Sequence, residues 1–221
     1  MRQRPARYPA PRAVTCLLVV ACSFACNACS TAGVLAHKFV GPPPVPATYK
    51  PAKEPMLVLV ENYRNPSASM LDSARLSMLV GEQFRRHNIA PLVAPARLEA
   101  LRADPAYAEM TIPAIGRHVG AKQVLYVNVR RFGVEGTVGG EMLKGTAEMT
   151  VRVVDAATGD NRWPIDAGGH PVAVTTPWVR LGEGASEVAL REQMIRSAAV
   201  AIGKIFRKYS SEFEDAEQAV Q

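Results

Sequence analysis

Residues 123–160 read QVLYVNVRRFGVEGTVGGEMLKGTAEMTVRVVDAATGD, and this stretch decides the fold. Its first part, Gln123–Phe132, starts with apolar residues on both faces, which predicts a strand inside a sheet. From Leu143 to Asp155, apolar and polar residues alternate, which predicts an antiparallel strand with one buried and one wet face. The glycine-rich segment Phe132–Gly140 is therefore expected to be the connection of a β-hairpin.

The flanking sequence adds helices and strands on both sides of this hairpin. Short apolar runs predict strands at 56–60 and 89–94, and turn residues at 157–160 predict strands near 162–165 and 170–175. Helical spacing and capping signals predict helices at 70–87, 95–102, 112–119 and 185–209. The order βα-βα-βββ-α predicts a single α/β domain with α+β character over residues 56–209. We expect a mixed sheet of about five strands with helices packed mainly on one face.

The amino terminus has the layout of a lipoprotein signal. Four arginines lie in the first twelve residues, and an apolar run follows at 13–25, too short to span a bilayer. This predicts a signal peptide over residues 1–21, with an end that could extend to 28. All four cysteines lie in or just after this segment, at positions 16, 22, 26 and 29. We expect lipidation at Cys22, which follows Val19 and Ala21, with Cys29 and Cys26 as alternatives. None of these three is followed by Asp, which in Gram-negative bacteria indicates the periplasmic face of the outer membrane.

A proline-rich stretch separates this signal from the predicted domain. Residues 42–55 read PPPVPATYKPAKEP, and six prolines favour an extended polyproline II spacer. Residues 22–55 are therefore predicted to be a lipid-anchored tether, and residues 210–221 an acidic flexible tail. The chain carries a net charge of +6, but residues 1–21 hold four arginines and no acid. The remainder has 22 basic and 20 acidic residues, which argues against a nucleic-acid partner.

Two turns carry a resemblance to a known group of proteins. They are Gly120-Ala121-Lys122-Gln123-Val124-Leu125, which enters a strand, and TVRVVDAATGD at 150–160. The segment 56–206 resembles periplasmic lipoproteins with an anticodon-binding-like α/β domain. That group includes the TolB amino-terminal domain, the penicillin-binding-protein activator lipoprotein and the curli-secretion lipoprotein. Lys122 departs from the group, which has an acid there. The resemblance implies a protein that binds other envelope proteins.

Motifs for chemistry are absent from the sequence. The histidines at 37, 87, 118 and 170 have no metal-ligand spacing, and there is no GxSxG elbow. The glycine-rich segment 133–140 lacks the Gly-Lys-Ser/Thr ending of a phosphate-binding loop. We therefore predict no catalytic residue, no metal and no cofactor.

Several aromatic and basic residues are candidates for binding a partner. Tyr63 and Arg64 follow the carboxyl end of the first strand, where open α/β sheets place ligands. Arg130 and Arg131 end the central strand, and Trp178 and Arg180 precede the last helix. Tyr, Trp and Arg are enriched at interface hot spots. The alternative is ordinary loop packing, with Trp178 filling the edge of the core.

Three functional hypotheses follow. The leading one is a non-enzymatic cell-envelope lipoprotein, held in the membrane by its anchor, that binds or helps assemble another envelope protein. The second is an envelope hydrolase whose site residues are scattered in the sequence. The third is a homo-oligomeric secretion or structural component.

Overall fold

The computed structural model describes residues 43–61, 70–137, 139–182 and 186–210, with only the backbone at positions 70 and 71. The chain divides into two units, Pro46–Tyr209 and a second unit made of residues 1–45 and 210–221. The second unit, with the predicted signal and the candidate lipidation sites Cys22, Cys26 and Cys29, lies almost entirely outside the described residues. Everything below concerns Pro46–Tyr209.

The core of this unit is an open mixed sheet of six strands. Strand β1 (Met56–Glu61) pairs in parallel with β2 (Gln123–Gly136), and β2 pairs antiparallel with β3 (Met142–Asp155). The far side of β3 pairs along its length with three short strands. These are β4 (Asn161–Trp163), β5 (His170–Thr175) and β6 (Val179–Arg180). The predicted mixed α/β sheet in one domain is confirmed, with six strands in place of about five.

In the described part of the chain, four α-helices pack on the two faces of the sheet. The longest are α1 (Met70–Arg86) and α4 (Glu187–Phe206), and they share one core with β1, β2 and β3. The shorter α2 (Pro95–Arg102) and α3 (Ile112–His118), with a 3₁₀ helix at Pro105–Glu109 between them, form a second core on the opposite face. Among the described residues, no helix is long and apolar enough to cross a membrane.

As the sequence led us to expect, the long helices α1 and α4 share one face of the sheet, and the short helices α2 and α3 cover part of the other. Met56, Val58 and Val60 belong to the first core, whereas Leu57 and Leu59 belong to the second. Because β1 is apolar on both sides, each side needs a helical layer to exclude water.

The second strand predicted at 89–94 is not formed. This segment makes a single parallel bridge, between Met56 and Leu92, with hydrogen bonds from Met56 N to Pro91 O and from Val93 N to Met56 O. Pro95 then begins α2, and a proline at that position has no N–H to continue a ladder. Beyond this bridge, β1 forms the edge of the sheet among the described residues.

The last ten residues of the predicted tether pack on the domain. The Tyr49 ring stacks on Trp163 with centroids 5.5 Å apart, and Tyr49 N donates to Ile205 O. The fully buried Gln123 amide donates to the carbonyls of Ala52 and Glu54 at 2.7 and 3.1 Å. These contacts place the start of the folded unit at 46, ten residues before the predicted boundary.

Arginine 162 holds the same segment to the turn after β3. Its guanidinium pairs with Glu54 at 2.7 Å and with Asp155 at 2.8 Å. Asp155 also accepts backbone N–H groups from Ala157 and Thr158, and Gly159 closes the turn at φ +84°. Hydrogen bonding to Arg162 and to those N–H groups lowers the pKa of the Asp155 carboxyl. The Asp-x-x-Thr-Gly turn found in the sequence is thus a structural anchor.

Candidate functional site

The long hairpin of β2 and β3 leaves one of its faces exposed. Ala147, Met149, Val151 and Val153 point into the first core, as the alternation predicted. On the opposite face, α2 and α3 contact the sheet only near the Asp155 end. We call the remaining outward side of β2, β3, β5 and β6 the open face. It is formed by Arg130, Arg131, Glu135, Lys144, Thr146, Glu148, Ala173, Thr175, Trp178 and Arg180.

A β-bulge places two arginines side by side on the open face. The register shifts between Val129 and Arg131, so Arg130 has no partner across the ladder. Val129 and Phe132 are both buried, and the two arginines between them are exposed. Without the extra residue, alternation would turn Phe132 to the solvent. The bulge therefore lets one strand keep its core side chains and present adjacent cations.

The two arginines of the bulge differ in their partners. Arg131 lies 3.7 Å from the carboxylate oxygens of both Glu135 and Glu148. Arg130 has no ion pair among the described residues. Within the described part of the chain, the two acids of the open face are therefore shared by Arg131, and the charge of Arg130 is not neutralised.

Trp178 stands at the far end of the open face. It is 46% exposed, and the ammonium of Lys144 lies 5.8 Å from its ring centroid. Just before it, the buried Thr176 exchanges hydrogen bonds with Gly145: Gly145 N donates to Oγ1 at 2.8 Å, and Thr176 N donates to Gly145 O at 3.0 Å. These bonds fix the chain that carries Trp178. Trp178 is therefore exposed and does not fill the edge of the core, which was the alternative.

Four of the six predicted partner-binding residues share this face. Arg131 lies opposite Glu148, and Arg180 lies opposite Met142, six positions away along β3. At about 3.4 Å per residue, the face is about 20 Å long between them. Tyr63 and Arg64, the other two, lie outside the described residues. The sequence analysis did not select Lys144, Glu135 or Glu148 as candidate binding residues. The alternation of β3 nevertheless placed Lys144 and Glu148 on its wet face.

A polar cluster lies beside this face at the carboxyl end of β1. Tyr107 donates a 2.8 Å hydrogen bond to Glu61 Oε1, and the Arg152 guanidinium lies over the Tyr126 ring at 4.9 Å. Burial, reinforced by the Glu61 carboxylate, raises the pKa of Tyr126 to about 12. Burial also raises the pKa of Tyr107, with Arg102 opposing this and Glu61 adding to it. Both phenols are therefore neutral at physiological pH. The Tyr107 hydroxyl donates the hydrogen bond that orients the Glu61 carboxylate.

Two buried polar atoms of this cluster lack partners. Glu61 Oε2 and Arg152 Nε make no hydrogen bond among the described residues. Such atoms in native proteins are usually paired with water or a ligand. The part of the chain that the structure describes also contains no group of three His, Cys, Asp or Glu able to hold a metal ion.

Comparisons with known proteins give no family for the chain. No protein-family model matches it, and no curated protein matches it. Among solved structures, the PelC dodecamer from Paraburkholderia phytofirmans is 14% identical, covering 72% of this chain and 92% of that one at a TM-score of 0.35. Lipoprotein GNA1162 from Neisseria meningitidis is 18% identical, covering 67% and 97% at a TM-score of 0.39.

The minor lipoprotein from Acinetobacter baumannii is 9% identical, covering 70% of this chain and 91% of that one at a TM-score of 0.37. Two of these three proteins are lipoproteins by name. At such identities and TM-scores, the solved structures assign this chain to no family. The resemblance to the TolB group stays a prediction.

Proposed function

We propose that the chain is a non-enzymatic envelope lipoprotein whose open face binds an acidic surface of another envelope protein. Its acylated Cys22 anchors it at the periplasmic face of the outer membrane. Residues 22–45 then link the anchor to the folded unit and span at most about 86 Å when fully extended. The domain thus reaches proteins that stand well above the lipid surface.

The exposed positive charge of the open face is the observation that carries this proposal. Arg130, Lys144 and Arg180 make no ion pair among the described residues, whereas Glu135 and Glu148 are both held by Arg131. Charge of this kind favours an acidic partner and speeds its encounter. The exposed Trp178 lies beside these cations and supplies an aromatic contact of the kind that is enriched at interface hot spots.

The architecture of the hairpin suits such a role. Its buried side belongs to the main core, so the open face is rigid, and recognition needs little ordering on binding. Arg131, Lys144 and Arg180 occupy paired positions of their strands, so the ladder fixes their spacing. A partner therefore meets a preformed pattern of charge about 20 Å long.

Charge reversal tests the proposal in the native membrane. The acylated protein is isolated after mild crosslinking, and co-purified envelope proteins are quantified by mass spectrometry. We expect the variant Arg130→Glu with Arg180→Glu to lose its partner. The matched control, Lys50→Glu with Lys122→Glu, changes the net charge equally at exposed positions outside the open face. Equal recovery of the same partner by both variants would refute the proposal.

A further inference from the structure

A cavity of about 270 Å³ lies between α1 and α2, beside the edge strand β1. It is separate from the open face, which lies on β2, β3, β5 and β6. Its floor is formed by buried apolar residues, among them Leu57, Val58 and Leu98. At about 30 Å³ per packed heavy atom, comparable with the volume of a liquid water molecule, it holds about nine carbon atoms.

The sheet topology explains why the cavity exists. The segment after Leu92 leaves β1 and becomes α2, so no strand follows β1 at this edge among the described residues. On α1, Gly81 lines the same space, and a Cβ added there would meet only Leu92 Cδ1 at 3.5 Å and Arg85 at 3.9 Å. The glycine keeps the space open, and larger side chains at this position would enter it.

Among the described residues, the mouth of the cavity carries one cation without an ion pair. Arg102 is paired with Glu99 at 3.1 Å. Arg85, an exposed residue that also lines the cavity, makes no ion pair or side-chain hydrogen bond among the described residues. Guanidinium groups bind carboxylates through two parallel hydrogen bonds. An apolar interior with one arginine at its mouth matches a molecule with an apolar tail and one carboxylate head.

We propose that this cavity binds the acyl chain of a single-chain fatty acid, with its carboxylate on Arg85. A tail of about nine carbons fills the apolar space, and longer chains extend past Met78, which is 48% exposed at the mouth. Apolar cavities large enough for a hydrocarbon take up apolar ligands. The site gives an envelope protein a means of sensing or carrying free fatty acids, independently of its protein partner.

Binding is measured on the purified full-length protein with parinaric acid, a fatty acid that becomes fluorescent in apolar surroundings. We expect saturable binding that decanoate displaces and that decanol displaces about tenfold less well, the loss of one charged hydrogen bond. Gly81→Leu, which fills the cavity, abolishes binding. Arg85→Gln weakens decanoate about tenfold and leaves decanol unchanged. Ala100→Leu, at an exposed position of α2 outside the cavity, is the matched control and binds normally.

Several results would overturn the inference. One is the absence of saturable parinaric acid binding by the unaltered protein. Another is displacement of parinaric acid by decylamine as strong as by decanoate. A third is displacement of parinaric acid only by a two-chain phospholipid. Far-UV circular dichroism checks that Gly81→Leu folds. If it does not, Arg85→Gln decides alone, because its exposed side chain is not part of the core, and unchanged decanoate binding then contradicts the proposal.

Discussion

Adding one methyl group at Gly116 tests how closely α3 packs on the sheet. A Cβ at this position would lie 2.6 Å from Val124 Cγ2 and 3.1 Å from the Ala156 Cβ, both in the second core. Ordinary carbon contacts are about 3.5–4.0 Å. Val124 is fully buried, and its β-branched side chain is stiff, so α3 must move away or the strand must shift. Gly116→Ala is therefore expected to destabilise the domain.

The magnitude follows from two opposing effects. Overpacking of a core costs about 1–3 kcal/mol, whereas Gly→Ala inside a helix gains up to about 1 kcal/mol. We expect a net loss of about 1–2 kcal/mol for Gly116→Ala. The matched control is Gly81→Ala on α1, where the new Cβ would meet Leu92 Cδ1 at an ordinary 3.5 Å. That variant is expected to gain up to about 1 kcal/mol.

Urea unfolding followed by far-UV circular dichroism compares the two variants. With a slope of about 2 kcal/mol per molar urea, their midpoints should differ by about 1 M. Val124→Ala removes the clashing methyl groups, so the double variant Gly116→Ala with Val124→Ala should be more stable than the sum of the single effects. Equal midpoints for the two glycine variants, or additive effects in the double variant, would refute the reasoning.

Two further predictions concern the segment that packs before β1. Tyr49→Ala removes the stack on Trp163 and should lower the free energy of unfolding by about 2 kcal/mol, measured in urea; an unchanged midpoint would show that the segment is not held there. Asp155→Asn should destabilise the protein at neutral pH, because Arg162 lowers the pKa of this carboxyl in the folded state. A carboxyl whose pKa is lowered by folding stabilises the folded state at pH values above its pKa in the unfolded chain. The difference in the free energy of unfolding between Asp155→Asn and the unaltered protein should therefore narrow as pH falls from about 5 through the pKa of Asp155 in the folded state. A difference that grows on acidification would contradict this assignment.

Local patterns predicted much of the fold. The proline at 95 begins α2 where expected, and Gly120 takes a positive φ of 82° after α3, as a helix-ending glycine should. The alternation of β3 placed its buried and wet sides correctly. These features depend on neighbours within a few positions, which a sequence shows directly.

Features set by distant contacts could not be predicted. The segment at 89–94 has the composition of a strand, but its pairing with β1 ends after one bridge. The bulge at Arg130 depends on the register of the partner strand, and beyond it β2 stays paired with β3 as far as Gly136, past the predicted loop start. The proline content of residues 46–55 predicted a spacer. The aromatic residues that Tyr49 contacts lie more than 100 positions away in the sequence, so no local pattern indicates that this segment packs on the domain. The Glu61–Tyr107 hydrogen bond joins residues 46 positions apart and left no local signal.

Photocrosslinking from the open face tests the central claim most directly. A photoreactive residue replaces Ala173, an exposed position of β5 opposite Glu148, or Ala100, an exposed position of α2. In living cells we expect Ala173 to give one specific adduct with another envelope protein, identified by mass spectrometry, and Ala100 to give none. Adducts of equal yield from both positions, or an adduct from Ala100 alone, would contradict the account.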